Sequence, residues 1–235
     1  MHKKILLLVS LLAASVPAVA QDCVVLLHGL AKSDRDMRKL ERRLSDEGFT
    51  TVNHDYASTS KPIEELSTEV VAPALTKCGT YDRVHFVTHS MGGIVVRHYL
   101  SRHDISGLGR VVMLAPPNNG SEVIDSYRDI PGFETFGGPS GLQLGTGAES
   151  LPKTLGVVEF DLGIIAGTRS VNLVLSSILP GSDDGKVTVE STRTEGMNDH
   201  LSMPVTHPFM MKNGQVIEQV IHYLENGRFD RARTS

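Results

Sequence analysis

Ser90 is the residue best placed in this chain to act as a nucleophile. It stands in the run Val84-His85-Phe86-Val87-Thr88-His89-Ser90-Met91-Gly92-Gly93-Ile94-Val95. An apolar strand ends at the serine and an apolar helix begins after it. A serine in such a strand–turn–helix corner presents its hydroxyl at the top of a sheet, the arrangement of a nucleophile elbow. The corner is strained and its two elements approach closely, so small residues must flank it. Gly92 and Gly93 supply that room on the helix side. The helix N-terminus favours negative charge developing nearby. Thr88 stands where such strings usually carry their first glycine; its side chain is branched but short. His89 adjoins the serine. Neighbours on a sharp turn point apart, so His89 is expected to pack under the corner rather than to act as the base.

A serine hydroxyl is a weak nucleophile until a base takes its proton, and the base needs an acid to orient it. Downstream of Ser90, the acids in turn-like settings are Asp183, Asp184 and Asp199. His200 and His207 compete for the base. His222 lies in a predicted helix late in the chain and is set aside. The ten histidines are scattered, with no H-E-x-x-H and no close Cys/His grouping, so no metal site is expected. No phosphate-binding or dinucleotide glycine pattern is present, and no cofactor is expected.

These residues need a scaffold. Apolar runs at 23–27, 49–54, 83–88 and 110–115 read as strands, with further strand-like runs at 162–166 and 201–205. Helical patterns alternate with them. Ser33 can cap a helix to about Glu47, with Met37, Leu40 and Leu44 on one face and Gly48 as its stop. Pro62 opens a second helix carrying Ile63, Leu66 and Val70, which Pro73 is expected to kink or end. A third runs from Met91 to about Arg102. The last carries Val216, Ile217, Val220, Ile221 and Leu224 on one face. Strands alternating with helices make βαβ units and a parallel sheet, and near-continuous apolar strands fit a sheet covered on both faces. From about 118 to 160 the periodicity dissolves into Gly, Pro and Ser, the signature of a lid or binding loop.

Composition narrows the function classes. Hydrophobic residues at 40% and charged residues at 21% are those of a globular chain of one domain. The net charge of −4 and the lack of a long basic run exclude nucleic acid as an expected partner. The absence of Trp argues against a stacking surface. The N-terminus reads as an export signal: Lys3 and Lys4, an apolar run over 5–16, then Ala18-Val19-Ala20 as the cleavage site, giving a mature domain of 21–235. The apolar run is too short to span a bilayer comfortably, so no stable membrane anchor is expected.

The block Val24-Val25-Leu26-Leu27-His28-Gly29-Leu30, followed by His89-Ser90-Met91-Gly92-Gly93, resembles the α/β-hydrolase superfamily, and above all its small bacterial lipase- and esterase-like members. Asp184-Gly185-Lys186-Val187 and Val205-Thr206-His207 continue the likeness over nearly all of the chain after residue 20. The resemblance implies one α/β domain with a mostly parallel sheet of about six strands, helices on both faces and a lid-like insert. It implies an oxyanion hole made by the backbone amides of Leu30 and Met91. It favours Asp184 over its neighbour Asp183 as the acid. It favours His207, which follows the last strand, over His200, expected at the far edge of the sheet. Cys23 and Cys78 each stand just before strands that neighbour one another in this fold, and two thiols in an exported chain are a natural disulfide pair. The implied reaction is hydrolysis of a small-molecule or lipid ester through an acyl-enzyme on Ser90. The same residues could pass the acyl group to an alcohol or amine, and a catalytically silent binding protein is the remaining reading.

Overall fold

Strands that are apolar on both sides must be covered on both sides. In the computed structural model, which describes residues 22–233, six strands form one all-parallel sheet, the inner four largely buried and apolar and the two at its edges more polar and partly exposed. The six are β1 (Cys23–Leu27), β2 (Thr50–His54), β3 (Val84–His89), β4 (Leu108–Leu114), β5 (Leu162–Gly167) and β6 (Asp199–Met203), in spatial order β2-β1-β3-β4-β5-β6. The export signal expected at residues 1–20 lies outside the described residues. Among the described residues, no helix is long and apolar enough to cross a membrane.

Strand alternation divides the core in two. Cys23, Val25 and Leu27 of β1, with Val84 and Phe86 of β3, face helices α2 (Ile63–Cys78) and α3 (Met91–Leu100). Val24 and Leu26 of β1 and Val87 of β3 face α1 (Asp34–Asp46) and α8 (Gly214–Asn226). Met37, Leu40 and Leu44 make the buried stripe of α1, as their spacing predicts. Ser33 precedes α1, but its side chain makes no capping bond. Instead Asp55 accepts from the Asp34 amide at 3.1 Å.

Two expectations are corrected. Of the two effects expected of Pro73, the end of the helix is the one overturned: α2 runs through it to Cys78. A proline removes one helical hydrogen bond, and burial of Val70, Val71, Ala74 and Cys78 carries the helix across the gap. The 118–160 segment is also more regular than its composition suggests. It holds α4 (Glu122–Tyr127), α5 (Phe133–Leu142) and α6 (Leu151–Thr154). These are short, and α5 breaks at Gly138, where φ is +62°, so no long period survives in the sequence. A last short helix, α7 (Leu173–Ser176), precedes the acid candidates.

A disulfide joins Cys23 to Cys78, with Cα atoms 5.9 Å apart. Cys23 is the first residue of β1, and Cys78 is the last of α2 rather than a strand residue. The bridge closes a separation of 55 residues, worth about 4 kcal/mol in the chain-entropy model. Alkylation of denatured, unreduced protein should therefore find no free thiol, and reduction should lower the melting temperature by about 8–16 °C. Two alkylated cysteines in protein purified from an oxidising compartment would refute the pairing.

Candidate active site

A parallel sheet sends all its carboxyl ends to one edge, and sites in open α/β sheets lie outside that edge. Ser90 follows β3 there. Its backbone sits at φ +53° and ψ −125°, a region that costs a non-glycine residue about 1–3 kcal/mol. The Ser90 amide donates to the Leu114 carbonyl at 2.8 Å, and Gly93 donates to the Ser90 carbonyl at 2.9 Å, so both sides of the turn are fastened. Gly92 is needed for its size: a Cβ there would meet the carbonyl oxygens of Leu27 and His28 at 2.8 Å. Thr88, in the place of the usual glycine, is fully buried in the strand.

The loop after β1 faces this corner and is held from below. Tyr56 donates its hydroxyl to the His28 carbonyl at 2.6 Å and stacks on the His28 ring at 4.2 Å. Burial pushes the Tyr56 phenol well above its ordinary range, so it stays a donor. Ser58 accepts from the Ala31 amide at 2.9 Å. Among the described residues, no acceptor in the protein takes up the amides of Leu30 and Met91. Tyr56 and Ser58 escape a sequence reading. Their one signal is their position just after β2, hence at the same edge.

The two neighbouring aspartates point to different partners. Asp184 Oδ2 accepts from His207 Nδ1 at 2.8 Å, and its Oδ1 accepts from the amides of Lys186 and Val187 at 3.0 and 2.9 Å. The His207 amide also donates to the Asp184 carbonyl at 3.0 Å. Asp183 Oδ1 instead accepts from the Gly185 amide and from Ser176 Oγ, each at 2.7 Å, and so shapes the turn. Gly167 lets the two loops meet, since a Cβ there would strike Val205 O at 2.6 Å and Asp184 Cβ at 2.7 Å. A carboxylate only accepts, so His207 Nδ1 carries a proton, and in the neutral imidazole the lone pair is then on Nε2.

His200 is placed elsewhere. The last strand begins two residues earlier than its sequence suggests, and His200 lies inside it, opposite Ile164. Its Nε2 is 2.9 Å from Thr192 Oγ1. Burial, with Arg193 nearby, pushes its imidazole down to about 4. Asp199 opens the same strand and pairs with Arg231 at 2.5 Å. Neither lines the cavity at Ser90.

That cavity has a volume of about 240 Å³ and is lined by Ser90, His89 and His207. Val123, Ile124, Tyr127, Phe133 and Leu144 of the insert form its apolar wall. Arg97 fastens the insert at its base. Its guanidinium is buried and donates to Asn118 Oδ1 at 2.9 Å and to the Gly156 carbonyl at 2.9 Å. Ser90 Oγ and His207 share the cavity, with no hydrogen bond between them in this structure. Such bonds are often long before substrate arrives. His89 is buried, but it lines the cavity beside Ser90 rather than lying apart from it, and it touches His207: the rings lie 4.7 Å apart, and His89 Nε2 donates to the His207 carbonyl at 3.0 Å. Burial, then the neighbouring His207, holds the His89 imidazole well below its ordinary range. Among the described residues, no group of three or more acidic, histidine or cysteine side chains is arranged to hold a metal ion.

The model of the alpha/beta hydrolase family matches residues 24–177. No curated protein matches the chain in sequence. Solved structures match its fold. The mature lipase BlEst2 of Bacillus licheniformis aligns with a TM-score of 0.66 at 18% identity, over 90% of this chain and 94% of that one. A structure from the metagenome-derived lipolytic enzymes LipS and LipT aligns with a TM-score of 0.61 at 13% identity, over 88% and 95%. Phospholipase PlaB of Legionella pneumophila aligns with a TM-score of 0.57 at 19% identity, over 74% of this chain and 45% of that longer one.

Proposed function

The chain belongs to the alpha/beta hydrolase family, and from that premise we propose that it hydrolyses carboxylic esters, with Ser90 as nucleophile, His207 as base and Asp184 as the orienting acid. The observation that carries the reading is the 2.8 Å contact between Asp184 Oδ2 and His207 Nδ1, beside a cavity that His207 shares with Ser90. It leaves the lone pair on Nε2, the nitrogen a serine proton must reach.

The steps balance on these groups. Ser90 Oγ attacks the ester carbonyl carbon, and its proton passes to His207 Nε2. The carbonyl oxygen becomes an oxyanion, met by the free amides of Leu30 and Met91. The intermediate collapses, the carbon–alkoxy bond breaks, and His207 returns the proton to the departing alcohol. Water then attacks the acyl-enzyme with His207 again as base, releasing the acid and restoring Ser90. Asp184 stays ionised and stabilises the transient imidazolium. The wall contributed by the insert would receive the acyl chain.

Export belongs to the same proposal, with residues 1–20 as a removable signal and 21–235 as the working domain. The disulfide supports it, since such bonds persist in oxidising compartments.

A fluorophosphonate probe tests the chemistry, because it reacts with an activated serine far faster than with an ordinary hydroxyl. Folded protein should take one adduct, on the peptide containing Ser90, and hydrolyse short-chain esters. Folded protein that takes no adduct, or takes it at another residue, would overturn the assignment.

A further inference from the structure

Resting on the ester reading above, we infer that the substrate carries a negative charge close to its ester bond, held by Lys32 and Lys186 at the mouth of the Ser90 cavity. Both lysines line that cavity, on the loops that follow β1 and β5, and no Asp or Glu lines it with them. Among the described residues, neither ammonium forms an ion pair or a side-chain hydrogen bond.

The nearby carboxylates are already committed. Asp36 lies close enough to feel Lys32 but is paired with Lys212 at 2.8 Å. Asp184 lies near Lys186, but its two oxygens serve His207 and two backbone amides. The other titratable groups lining the cavity are His89 and His207, which carry no negative charge, and Tyr127. Two like charges therefore share one apolar mouth with no carboxylate paired to either and only solvent and the already committed Asp184 to balance them, although the chain as a whole is acidic. The Lys186 ammonium is held below its ordinary range by desolvation first and by the Lys32 charge second, against the pull of Asp184. Its backbone is fixed, since its amide donates to Asp184 and its carbonyl accepts from Ser121 Oγ at 2.7 Å. An oxyanion substituent on the substrate, a carboxylate or a phosphate, would supply the missing partner through charge-assisted hydrogen bonds.

Four butyrate esters test this, followed by proton release: those of 3,3-dimethylbutanol (neutral), choline (cationic), glycolate (carboxylate) and glycerol phosphate (phosphate). In the wild-type protein, kcat/KM for at least one anionic ester should exceed that for the neutral ester by about tenfold, and choline should fall below it. The anion with the larger ratio names the group. Raising salt from about 0.05 M to about 0.5 M should erode the ratio, a reading that needs no variant. In the Lys32→Gln, Lys186→Gln double variant the ratio should collapse towards one, and with Lys186→Glu it should favour choline. A wild-type ratio at or below one, or a ratio unmoved in the double variant, would overturn the inference while leaving ester hydrolysis intact. If none of the four esters is turned over and the probe leaves Ser90 unlabelled, the ester reading falls and this inference with it.

Discussion

Ser90→Ala should fold like the parent and lose ester turnover by about 10⁴-fold or more. The expected size of the loss follows from what the substitution removes. Without Oγ there is no acyl-enzyme, and the residual rate rests on binding and on the two free amides. The fold should survive because the side chain bonds to nothing that holds the turn. The corner is fastened by the Ser90 amide and carbonyl, which alanine keeps. Alanine meets the same cost at φ +53° as serine does. The melting temperature should therefore stay within about 2 °C, and kcat on pure protein is the deciding measurement. Turnover near the wild-type rate would end the proposed mechanism.

His207→Ala should match that loss, and Asp184→Asn should come within about tenfold of it. Removing the imidazole leaves the hydroxyl without a base. Asp184→Asn is subtler. One oxygen can still hold the amides of Lys186 and Val187, but an amide nitrogen would face His207 Nδ1 and favour the wrong tautomer. The neighbouring residues are the controls. Asp183→Asn keeps an acceptor for the Gly185 amide and for Ser176, so most activity should remain. His200→Ala loses a bond to Thr192 in the body of β6 and should cost stability rather than rate. An Asp183→Asn variant crippled more severely than Asp184→Asn would transfer the acid role to Asp183.

The difference between those aspartates shows where sequence reading stops. Side by side before Gly185, both suit a turn, and only the distant partner of each separates them. Likeness to a family favoured Asp184; the contact with His207 is a three-dimensional fact. What was legible is local. The Met37–Leu40–Leu44 stripe, the apolar strands and the strand–serine–helix corner are written within a few residues of themselves. What was hidden acts across the chain. Tyr56 supports His28 from 28 residues away, Arg97 closes an insert 21 and 59 residues downstream, and Gly167 makes room for two later loops. The helices of the insert were masked for a different reason: their turns are too few, and too broken by Gly and Pro, to show a period.

The two edges of the sheet divide their labour. Ala31, Ser90 and Ala115, the residues other than glycine with positive φ among those described, all follow carboxyl ends of strands, on the side of the cavity. The Cys23–Cys78 bond lies at the opposite edge, where β1 begins. The strained backbone beside the candidate site is thus kept apart from the covalent staple at the far edge. Stability and activity usually trade against each other because they compete for the same residues. In this protein an engineer could harden the far edge with further cross-links or better-capped turns and leave the working edge as tense as it needs to be.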